Sequence, residues 1–84
     1  MSTSVAVLTG ATLAVGTGGL KFPLSVALKS TDAGRAIQIS VDGLEYISPT
    51  MDSTTADSLI LAILSPVTKI KVTGAANDTL TLAY

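Results

Sequence analysis

The chain has 84 residues, 48% of them hydrophobic and 13% charged; five Lys or Arg stand against six Asp or Glu, and there is neither Cys nor His. That composition excludes disulfides, zinc-finger spacings, redox thiols and hydrolysis that relies on an imidazole base. A chain this short buries only about 60% of the surface its unfolded form exposes, so it is expected to form one β domain over residues 1–84, stabilised by tight packing or by oligomerisation.

The charged fraction of 13% is about half that of an average soluble domain. Ser and Thr take up the difference at 21 positions, keeping the chain soluble while the β-branched Thr favours extended structure. So thin a charge implies that part of the surface is covered by something other than water.

In chain order, "SVAVLT" and "TLAVG" form two short strands around Gly10, and "GTGG" ends the second. The first twenty residues carry no charged side chain, but "MSTS" lacks the basic start of a signal peptide. Thr9, Gly10, Thr12, Gly16 and Thr17 interrupt any membrane span. Folding in the cytoplasm, with no membrane partner, is the expectation.

"FPLSVAL" alternates with period two, placing Phe22, Leu24, Val26 and Leu28 on one face and Pro23, Ser25 and Ala27 on the other. Pro23 suits a strand start or an edge. "RAIQISV" sets Ile37, Ile39 and Val41 against Gln38 and Ser40, then runs into Asp42-Gly43, the dipeptide of a type I′ hairpin turn. "LEYIS" is the expected returning strand.

"SLILAILSP" is the most apolar stretch, and two structures compete for it. As a helix, Thr54 would be the N-cap, Asp57 the N3 residue and Leu59, Ile60, Ile63 and Leu64 the apolar stripe, ended by Pro66. As a strand, Leu59, Leu61 and Ile63 share one face, and Ile60, Ala62 and Leu64 share the other. Its shortness and the β neighbours favour the strand, whose second face then needs a cover. "TKIKVT" and "TLTLAY" follow as alternating strands, with Ile70, Val72, Leu80, Leu82 and Tyr84 inward. "GAAND" is the expected five-residue hairpin loop between them, with Gly74 and Asn77 free to take positive φ. Seven or eight short strands without a repeat predict a small antiparallel β-sandwich or a partly closed barrel.

Motifs for chemistry are weak. "GTGGLKF" misses the dinucleotide fingerprint, because Lys21 stands where the third glycine belongs, and misses the P-loop because Leu20 separates glycine from lysine. Asp32, Asp42, Glu45, Asp52, Asp57 and Asp78 fall mostly in predicted turns, where a carboxylate caps backbone N–H groups rather than serving as half of a catalytic pair. No run matches an EF-hand, so no metal and no cofactor are expected. Lys69 and Lys71 make no basic cluster, and Phe22, Tyr46 and Tyr84 are the only aromatic residues, which argues against nucleic acid as a partner.

"RAIQISVDGLEYI" followed by "ILSPVTKIKVTGAANDTLTLAY" resembles small β-proteins among the structural proteins of tailed bacteriophages. The likeness covers about residues 35–84 and rests on an apolar strand, Pro66, the alternating Ile70 and Val72, the turn residues Thr73, Gly74, Asp78 and Thr79, and a last strand ending in an aromatic. Asn77 stands where the family pattern has a second glycine, a mild departure because Asn tolerates the left-handed conformation. The resemblance implies a non-enzymatic virion component, in first place a capsid decoration (cement) protein that contacts the major capsid protein or other virion subunits. It further implies a homo-oligomer, by preference a trimer. Alternatives are a neck, tail or fibre subunit, or a β-sandwich binding module that displays loops to a receptor or glycan. With one face of each strand given to the core, the apolar side chains left for an interface are Ile60, Ala62, Leu64, Leu13 and Val15.

Overall fold

The computed structural model describes residues 2–84. Its elements are β1 (Thr3–Val7), β2 (Thr12–Gly16), β3 (Leu24–Lys29), β4 (Ala36–Ser40), β5 (Ser53–Thr54), β6 (Ser58–Ile63), β7 (Lys69–Thr73) and β8 (Thr79–Ala83). They pair into a five-stranded sheet, β1-β8-β3-β6-β5, and a three-stranded sheet, β2-β7-β4. Every pairing is antiparallel, so the protein is an all-β sandwich, as its alternating pattern predicts.

The core follows from the register. In the large sheet Leu24, Val26 and Leu28 pair with Ile63, Leu61 and Leu59, while Val26 and Leu28 pair on the other side with Leu82 and Leu80. The small sheet answers with Ile70 and Val72 on its central strand, flanked by Ile37 and Ile39 and by Val15 and Leu13. Leu8 and Val67, outside the strands, complete the buried cluster. Branched aliphatic side chains thus interdigitate across the two inner faces, and the large aliphatics of β3, β6, β7 and β8 on these faces are buried.

The stretch 58–63 is strand β6, with Leu59, Leu61 and Ile63 buried and Ile60 and Ala62 exposed. The helical alternative fails because β6 finds β3 along its whole length on one side, satisfying the backbone in a ladder that uses the period-two apolar face.

Both predicted hairpins are corrected. Apart from the turn between β5 and β6, each connection leaves one sheet and enters the other. "GAAND" is therefore an arch from β7 in the small sheet to β8 in the large one. Asn77 takes φ 74°, but Gly74 has no positive φ. At Asp42-Gly43 only Gly43 is left-handed, at φ 81°, whereas a type I′ turn needs two such residues. Asp42 is a side-chain cap instead: its Oδ1 accepts from the N–H of Leu44 at 2.8 Å and of Glu45 at 3.0 Å. That widens the loop, and "LEYIS" returns only as a single bridge between Ile39 and Ile47. Val41 lies past the end of β4 and is exposed, whereas Ser40 is buried, its hydroxyl accepting from Gly43 N–H at 2.9 Å.

Candidate interaction surface

The large sheet's outward face is built by alternation. Since Leu80 and Leu82 point inward, their partners Ala6 and Ser4 do too, and Val5 and Val7, opposite Thr81 and Thr79, point outward. One row across the sheet runs Val5, Thr81, Ala27, Ile60 and Ser53. The neighbouring rows add Thr3, Val7, Thr79, Ala83, Ser25, Ser58 and Ala62, and a single charged side chain, Lys29. Val5 is 62% exposed and Ile60 41%. The strands give this face small and β-branched residues, and the exposed Asp57 borders it in a shallow depression with Lys29, Ile60 and Thr81.

Of the predicted interface residues, the structure brings Ile60 and Ala62 together on that face. Leu64, 76% exposed just beyond the end of β6, lines an open groove with Ile39, Val41, Pro49 and Pro66. Leu13 and Val15 do not join them: they pair with Val72 and Ile70 and turn into the sandwich, half-buried against the core. Val5 and Val7 are the residues that pattern reading missed. β1 is inverted relative to the usual rule, with small residues inside and large ones outside, and the signal for this was the pairing of bulky Val with small Ser4 and Ala6 in a strand without charge.

The two sheets meet imperfectly on one side, where Ser4 and Ala6 of β1 share a narrow crevice with Val15, Gly16, Leu20, Leu80 and Leu82. On the small sheet's outer face Lys71 lies over the Tyr46 ring at 5.0 Å, a cation–π contact that occupies one face of the ring. Gln38 Nε2 donates to Ser48 Oγ at 2.9 Å, holding the same segment down.

The acids serve the loops. Asp42's carboxyl is held below the ordinary carboxylate range by the Glu45 N–H first, then by Leu44 N–H and the Ser40 hydroxyl. Asp78 is lowered by the Ser30 hydroxyl first, then by Ala75 N–H, which lies 2.6 Å away. Asp52 Oδ2 accepts from Ala62 N–H at 2.6 Å, and Asp32 Oδ2 from Gly34 N–H at 2.9 Å. Among the described residues no three His, Cys, Asp or Glu side chains group as a metal site. Thr17 is buried and donates from its hydroxyl to the carbonyls of Val67 and Thr68, joining the end of β2 to the approach to β7.

Comparison with protein-family models, with curated proteins and with solved structures finds no significant match to this chain.

Proposed function

We propose that this protein is a structural subunit that acts by covering and being covered, and, on the resemblance of residues 35–84 to small virion proteins of tailed phages, that it is a capsid decoration protein. The observation that supports the reading is the outward face of the five-stranded sheet, whose strands carry Lys29 as their one charge, with Asp57 at the border, and leave Val5, Val7 and Ile60 exposed. Charged residues are depleted at the centres of protein interfaces, and this face sets exposed Val5, Val7 and Ile60 among Ser and Thr.

The mechanism is mechanical. Subunits seated on an assembled shell bury area that exists only while the lattice is intact, so expansion or bursting of the shell becomes more costly. The partner is the major capsid protein or another virion subunit, the location is the particle, and no catalytic step is involved. Tyr46, the one aromatic residue suited to a sugar platform, has Lys71 over its ring, which disfavours the glycan-binding alternative.

The test is to compare particles with and without the protein under heat and osmotic shock, with its copy number measured in the intact particle. The reading expects a fixed stoichiometry with the shell subunit and lower resistance in particles lacking the protein. Equal resistance, or absence of the protein from the particle, would overturn it.

A further inference from the structure

Four edges close the two sheets, and two of them, β5 and β4, are defended. β5 is two residues long, and beyond it the Asp52 carboxylate takes up the Ala62 N–H of β6. β4 is bridged by Ile47, with N–H to O distances of 3.1 and 2.8 Å in the two directions. β2 carries no charge, but it ends in Gly16, which has no side chain to pack in a paired strand. Short strands, side-chain covers and lysines are the devices that keep sheet edges from pairing with other chains. β1, Thr-Ser-Val-Ala-Val, has none: no charge, no proline and no cover among the described residues.

We infer that the open edge of β1 pairs antiparallel with β1 of a second copy about a two-fold axis at Val5. The hydrogen-bond phase fixes the register. Ser2 exchanges both of its bonds with Tyr84, and Leu8 N–H donates to the Asp78 carbonyl. By the alternation of an antiparallel ladder, Ser4 and Ala6 also bond to β8, so the N–H and C=O groups of Thr3, Val5 and Val7 face the free edge. A two-fold at Val5 sets Val5 against its own copy and Thr3 against Val7 of the second chain, the register in which all of those groups on both chains are paired.

Side chains agree with the backbone. The same three residues point outward, so the pairing joins two outward faces into one continuous sheet and places Val beside Val and Thr with no charge in contact. On the inner side Ser4 meets Ala6 of the second copy, small against small, where the crevice beside Leu80 and Leu82 opens. A five-residue edge is a small contact, so the dimer forms in a concentration-dependent way. The pairing does not depend on the shell reading, and it supplies a two-fold contact where the phage resemblance implies a trimer.

The test is sedimentation from micromolar to millimolar protein, paired with amide hydrogen exchange by NMR. The expected result is a rise in mass from one chain toward two. It should be accompanied by concentration-dependent protection of the Thr3, Val5 and Val7 amides, while Ser4 and Ala6 are protected throughout. Val5→Lys should retain the wild-type melting curve and weaken the dimer about tenfold or more, because like charges meet at the axis; mixing it with Val5→Glu should restore dimerisation. A mass of one chain at every concentration, a trimer, or a dimer unaffected by Val5→Lys would overturn the inference.

Discussion

Gly74 is buried at the point where the arch from β7 to β8 crosses the turn from β1 to β2, its N–H donating to the Ala11 carbonyl at 2.9 Å. A Cβ there would lie 2.6 Å from Asp78 Oδ2, 3.2 Å from Ser30 Oγ and 3.3 Å from Leu8 Cδ2. The carboxylate cannot simply swing away, since it holds the Ala75 N–H. Gly74→Ala should therefore cost about 1–3 kcal/mol by overpacking, measured by urea unfolding, and the cost should shrink in the Gly74→Ala/Asp78→Ala background, where the clashing oxygen is gone. The same carboxylate and that of Asp42 give the fold an acid sensitivity. Both pKa values are lowered in the folded state, so the stabilisation they provide is complete above an unfolded-state pKa of about 3.9 and is lost as pH falls through the lowered folded values. A pH series of unfolding midpoints should fall off in acid, and the Asp42→Asn/Asp78→Asn variant should show a shallower fall.

Strand β6 separates the two roles that a single element can hold. Leu61, 4% exposed, packs between Val26 and the small sheet's side chains, while its neighbour Ile60 faces outward in the row of Val5 and Thr81. Leu61→Ala should cost about 2–5 kcal/mol, a large share of the roughly 4–13 kcal/mol expected of a chain this size, whereas Ile60→Ala should cost under about 1 kcal/mol; urea titrations of the two variants decide it. Period-two alternation made β3, β6, β7 and β8 legible, because their large side chains fall on the face that the core needs. The pairing of strands was not legible. The local turn chemistry of Gly74–Asp78 is compatible with a hairpin, but burial of each strand's apolar face is better served there by crossing between layers, and tertiary packing decided; after Asp42-Gly43 the chain does return to β4, but only through the Ile39–Ile47 bridge. β1 was opaque for a related reason: at an edge, with only Ser4 and Ala6 inward, its bulky residues sit on the side that single-strand reasoning assigns to the interior. The candidate surface was therefore half visible, through Ile60 and Ala62, and its Val5 and Val7 portion appeared only once β8 fixed the register.

At the scale of the whole molecule, the proposed function would require a body of 28 × 28 × 23 Å to hold onto a much larger partner. Four strands of five or six residues and the two-residue β5, about 4.8 Å apart with a rise of about 3.4 Å per residue, give an outward face of roughly 20 × 20 Å in outline, about half of the ~800 Å² per partner of a standard interface. One copy on its own would bind weakly. Two copies joined through β1 would present a face about twice as wide, and linked contacts on a repeating lattice raise apparent affinity without any new chemistry. The thin charge, the exposed Val5, Val7 and Ile60 and the undefended edge thus belong to one proposed account, in which the protein is complete only when covered. The most direct test of that account is Ile60→Asp, assayed for urea stability and for incorporation into the particle at the same time. The account predicts a fold within about 1 kcal/mol of wild type and incorporation lost. A variant that folds and still incorporates at the wild-type copy number would contradict it.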